Sequence, residues 1–150
     1  MNMRRFLLLL VLLGLWQPQL ARAQNCTSNP GLCNLTVQST INQPDLDVAI
    51  DVVIVGDGFL TSADFLSVAN SAIAQFQSAP ANIPGRVAGL FNFHLIPVIS
   101  ASTNVGNADL TDTALGMNVS GPFINADMAR VNLAALNAPD VDVVITIANS

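Results

Sequence analysis

The 150-residue chain has no lysine, no glutamate and no tyrosine, and its one histidine is His94. Each absence removes a class of chemistry. Without lysine there is no G-x-x-x-x-G-K-[ST] phosphate loop. A Ser–His–Asp site would have to use His94, and no G-x-S-x-G elbow accompanies it, so the inventory speaks against a nucleophilic triad. One histidine and two cysteines, Cys26 and Cys33, cannot supply the three protein ligands of a catalytic zinc. Basic residues are also scarce. Three of the five arginines (Arg4, Arg5, Arg22) fall in the first 23 residues, and beyond them two arginines face ten aspartates. That balance excludes nucleic acid, whose phosphates demand a basic surface. No internal repeat or low-complexity tract is present.

The first 23 residues read as a signal peptide. Arg4 and Arg5 precede the apolar run Phe6 to Trp16, and Ala21-Arg22-Ala23 gives the small-x-small cleavage pattern. The run is shorter than the roughly 20 residues that span a bilayer, so no membrane anchor is expected after cleavage. The expected compartment is secreted or periplasmic. Residues 24–46 form a polar, turn-rich arm, with a short strand expected over Asn34–Ser39. Cys26 and Cys33 flank Pro30-Gly31 in this arm. An oxidising compartment and a turn between the thiols favour a small disulfide-closed loop over free thiols.

Residues 47–150 carry the globular pattern. Asp47 to Val55 is nearly all apolar and β-branched, and it stops at Gly56-Asp57-Gly58. Such a run reads as a strand buried on both faces in a parallel sheet. Asp57 would then sit at the carboxyl end of the strand, where such sheets place ligands. Thr61, with Asp64 three places on, reads as a helix N-cap. Phe65, Val68, Ala69, Ala72, Ile73 and Phe76 follow as one apolar stripe. Pro80 and Pro84-Gly85 end this helix.

Phe91 to Ile99 alternates as a strand, with Pro97 placing it near an edge or at a bulge. His94 reads there as a packed or edge-facing strand residue. Residues 100–121 read as a long polar loop. A second helix is expected from Ala126 to Asn137, capped by Asn125, with Met128, Val131 and Ala135 facing inward. Val141 to Ala148 is a third buried strand. This alternation predicts an α/β domain, a mostly parallel or mixed sheet with flanking helices. The chain stops at Asn149-Ser150, where a domain normally adds a covering element, so the expectation is an incomplete domain.

The chemistry-bearing residues left are carboxylates. Asp57 with Gly58, and Asp112 with Thr113, could converge on a hard cation such as calcium, or they could form turns. Gly56-Asp57-Gly58 lacks the third glycine of a dinucleotide loop, Thr61 standing in its place.

Gly56-Asp57-Gly58-Phe59, Phe91-Asn92, Pro97-Val98, Ser100, Asp112-Thr113 through Gly116 and the strand ending in Asn149-Ser150 together resemble the IgA-peptidase family of secreted zinc metallopeptidases. The resemblance runs from about Asp47 to Ser150. It implies the N-terminal portion of a zincin-like catalytic domain acting on a protein or peptide substrate. In that family an H-E-x-x-H helix follows the strand ending in Asn-Ser. Its histidines hold zinc, and its glutamate acts as general base. That motif is not among these residues, so no catalytic or metal-ligating position carries over, and zinc is implied for the full-length protein only. The alternative is an exported α/β binding or adhesion module with a cation held by Asp57 and Asp112.

Overall fold

The computed structural model describes residues 26, 28–41, 49–78, 89–103, 105, 113–120 and 123–149. The leader 1–23, Asp47, Pro80, Pro84-Gly85, Asp112 and Ser150 lie outside the described residues. A single 3₁₀ turn, Pro30–Leu32, precedes β1 (Gln38–Ile41), β2 (Ile50–Asp57), α1 (Ser62–Ser78), β3 (Phe91–Ile96), β4 (Asn118–Ser120), β5 (Phe123–Asn125), α2 (Met128–Ala135) and β6 (Val143–Ala148).

Four strands form one mixed sheet in the order β1-β3-β2-β6. β2 runs parallel to both β3 and β6, and β1 is antiparallel to β3. The β-branched run therefore is a central parallel strand. From β2 the chain steps one way to β3, then recrosses β2 to reach β6. Right-handed crossovers in opposite directions put their helices on opposite faces, and the core divides accordingly. Val52 and Ile54 pack with Phe65, Ala69 and Ile73 of α1, while Val53 and Val55 pack with Val131, Leu133 and Ala134 of α2. Each fully buried Val, Leu, Ile or Phe among them contributes about 1.5–3 kcal/mol of transfer free energy.

α1 starts at the expected cap. The Thr61 Oγ accepts from the Asp64 N–H at 3.2 Å, and its hydroxyl donates to the Asp64 carboxylate at 2.7 Å. The buried stripe is narrower than the periodicity implies. Phe65, Ala69 and Ile73 are buried, but Ala72 is exposed and Val68 is 44 % exposed. The physical reason is placement: among the described residues, α1 covers the β2–β3 half of its face and nothing covers the β6 half. Between them lies an apolar groove of about 270 Å³, with Ala72, Ile73 and Phe76 on one wall and Val143, Ile145 and Ile147 on the other. β6 is consequently half-exposed rather than buried.

Other boundaries also move. The arm strand is Gln38–Ile41, not Asn34–Ser39. β3 stops at Ile96, before Pro97, and lies between β1 and β2 rather than at an edge. The proline's missing N–H thus falls outside the ladder. α2 begins later than expected because Asp127, not Asn125, caps it, its side chain accepting from the N–H groups of Ala129 and Arg130. Asn125 belongs to β5, which pairs with β4, and β4 takes up the end of the stretch expected to be a loop. The shifted start leaves Met128 exposed and turns Leu133 and Ala134 inward with Val131 and Ala135.

The arm is tied to the domain. Cys26 and Cys33 are joined by a disulfide. Asn137, just past α2, donates from Nδ2 to the Leu32 carbonyl at 2.8 Å and accepts from the Leu35 N–H at 3.3 Å.

Gly56 sits against the edge-to-face pair of Phe59 and Phe65, whose ring centroids are 5.5 Å apart. A Cβ there would run into the Phe65 ring and lie 2.9 Å from Phe59 Cδ2. Gly56→Ala is expected to cost about 1–3 kcal/mol by overpacking. Urea unfolding should show a lowered midpoint with an unchanged slope, and an unaltered midpoint would contradict this packing account.

Candidate functional site

Two polar clusters lie at opposite ends of the parallel strands. The first is built on Asp57, the last residue of β2, which is 0 % exposed. An unpaired carboxylate in that setting would be very costly. Here four donors converge on it. Oδ1 accepts from the Ser100 hydroxyl at 2.8 Å, the Gly58 N–H at 3.1 Å and the Leu115 N–H at 3.1 Å. Oδ2 accepts from the Met117 N–H at 3.0 Å. Ser100 Oγ in turn accepts from Gly58 N–H at 2.9 Å and Ala114 N–H at 3.2 Å. Buried Thr113 completes the loop, its Oγ1 accepting from the Met117 N–H at 3.1 Å.

Asp57 therefore stands at the expected strand end but does not open into a ligand crevice. β2 is flanked by strands reached in opposite directions, which makes the carboxyl ends of β2 and β6 the natural crevice. That space is filled. Gly58 has φ +76°, and a Cβ on it would lie 2.6 Å from both the Asn149 carbonyl oxygen and Val105 Cγ2. Asn149 also donates from its backbone to the Asp57 carbonyl at 2.9 Å and from Nδ2 to the Gly58 carbonyl at 3.2 Å. The cluster brings together Asp57, Gly58 and Thr113, while Asp112 lies outside the described residues.

The second cluster was not anticipated from sequence. His94 is 2 % exposed and sits between two partners on the α2 side of the sheet. Its Nε2 is 2.7 Å from Asp51 Oδ1, and its Nδ1 is 3.2 Å from Ser39 Oγ. Asn92 Nδ2 donates to the same Asp51 oxygen at 3.1 Å. Strand register explains the meeting: Ser39 pairs with His94, Asp51 with Asn92, and Val53 with His94. The available sequence signal was a pair of polar residues, Asp51 and His94, each inside an apolar strand.

Among the described residues, no group of three or more histidine, cysteine or acidic side chains could hold a metal ion. No protein-family model matches the chain, and no curated protein shows significant similarity to it.

Asp57→Asn turns one acceptor oxygen into an NH2 group, so the Leu115 or the Met117 N–H loses its bond to this side chain and faces a second donor. The expected loss is about 2–4 kcal/mol of stability. Hydrogen exchange should show the Leu115 and Met117 amides losing protection first. Full retention of their protection would refute the role assigned to this carboxylate.

Proposed function

We propose that residues 47–150 form the N-terminal part of the catalytic domain of a secreted zinc-dependent endopeptidase related to the IgA-peptidase family, with a zincin-like fold. One observation carries the reading. The residues behind the resemblance lie far apart in sequence, yet Asp57, Gly58, Ser100 and the loop from Thr113 to Gly116 join one hydrogen-bonded cluster. In this reading they are a structural landmark of the family's sheet rather than its reaction centre.

The apolar groove beside α1, uncovered by any described residue, supports the same view. A parallel strand such as β6 normally has both faces covered. The zinc helix of the resembled family follows a strand ending in Asn-Ser, and an amphipathic helix is the element such a groove accepts. The described residues do not themselves fit a catalytic zinc: His94 is held between Asp51 and Ser39. Zinc ligands and general base would come from the H-E-x-x-H segment, and no reaction step is assigned to residues present here. The substrate would be a protein or peptide, met in a secreted or periplasmic setting. The cation-binding adhesion reading has less support, because both Asp57 oxygens are already engaged inside the protein.

The coding sequence downstream of the Ser150 codon tests the proposal. It should encode H-E-x-x-H, and the extended product should cleave peptides in a chelator-sensitive manner. The 150-residue chain supplied with zinc should cleave none. An open reading frame that continues without that motif removes the proposal.

A further inference from the structure

The geometry points to a second, metal-independent chemistry: Ser39, His94 and Asp51 form a nucleophile–base–carboxylate relay able to accept an acyl group from an ester. This inference does not rest on the metallopeptidase reading. In the neutral imidazole the order of contacts selects the tautomer. A carboxylate accepts hydrogen bonds, so at 2.7 Å from Asp51 Oδ1 it is His94 Nε2 that carries the proton. Nδ1 then presents its lone pair, and the Ser39 hydroxyl donates to it across 3.2 Å. That is the arrangement of a serine activated by a base that a third group orients. The ring nitrogens exchange the roles they have in the chymotrypsin template, where the serine faces Nε2.

Position favours reaction over a purely structural link. His94 and Asn92 are buried, which holds base and carboxylate in place, whereas Ser39 is exposed. Ser39 lies on β1, the outer strand of the described sheet, and the β1–β3 register shifts between Ser39 and Ile41. Bulges at sheet edges re-aim side chains and recur beside active sites. An outer strand also turns part of its backbone away from the sheet, where N–H groups can meet a developing oxyanion.

The reaction balances without a cofactor. Ser39 Oγ bonds to the acyl carbon as its proton passes to His94 Nδ1. The bond from that carbon to the alcohol oxygen breaks, and the departing alkoxide takes the proton from Nδ1. Water then adds to the acyl carbon, giving its proton to Nδ1. The carbon–Oγ bond breaks, the carboxylic acid leaves, and Ser39 recovers the proton. Esters suit this relay because the alcohol needs only the one proton that His94 carries.

The test uses the 150-residue chain with a fluorophosphonate probe and p-nitrophenyl acetate. Peptide mapping should find the phosphonyl group on Ser39, fluoride having left. Ser39→Ala, an exposed change, should keep the circular dichroism spectrum and lose both labelling and esterase turnover. Asp51→Asn should slow labelling of Ser39 by about 100-fold with the spectrum retained. If Asp51→Asn fails to fold, Ser39→Ala decides alone. No label on Ser39, turnover unchanged in Ser39→Ala, or equal labelling rates in folded Asp51→Asn would each overturn the relay.

Discussion

A fully buried carboxylate has to be surrounded by donors or left out of the fold. At Asp57 the surroundings come from three places in the chain: the turn after β2, Ser100 beyond β3, and the backbone of Leu115 and Met117. None of these segments has regular structure at the contact. What fixes the loop at 113–117 is the carboxylate, and what makes the carboxylate tolerable is the loop. The end of β2, the exit of β3 and the approach to α2 thus depend on one side chain. Hydrophobic burial makes the sheet favourable, but it does not specify where these irregular segments lie. Directional hydrogen bonds do that.

The two faces of the sheet are unequally finished. On one, α2, the arm and the loop around Leu115 pack over Val53 and Val55. On the other, α1 packs over Val52 and Ile54 and stops short of β6. The inequality follows from the order of strands, since a helix joining β2 to β3 lies over that pair and no further. The two polar clusters divide the sheet's ends in a similar way. Asp57 is sealed and serves architecture, whereas the Ser39–His94–Asp51 cluster has a buried base and an exposed hydroxyl.

Much of the layered architecture was legible from composition and period. The Val/Ile run of β2 announced a central parallel strand because it is apolar on both faces, and Thr61 with Asp64 announced the start of α1. The failures have physical causes. Asp127 competed with Asn125 for the cap of α2 and won, which turned Met128 outward. Val68 and Ala72 share the helical stripe, but a stripe does not say how wide its partner surface is. The strands Asn118–Ser120 and Phe123–Asn125 are three residues each, too short for an alternation to show. Asp57 was seen at its strand end, yet its burial depends on donors 58 and 60 residues away. The histidine cluster needed the register of β1, β2 and β3, which no single segment encodes.

Asn137 gives the arm a history as well as a position. Its side chain holds the Leu32 carbonyl across 105 residues of sequence. The disulfide loop spans only seven positions and can close once both cysteines reach an oxidising compartment. At synthesis rates of about 5–20 residues per second, Asn137 is added roughly 5–20 s after Leu32. The disulfide loop gains this anchor only after β1, β2 and β3 have been translated, although it precedes all of them in the chain.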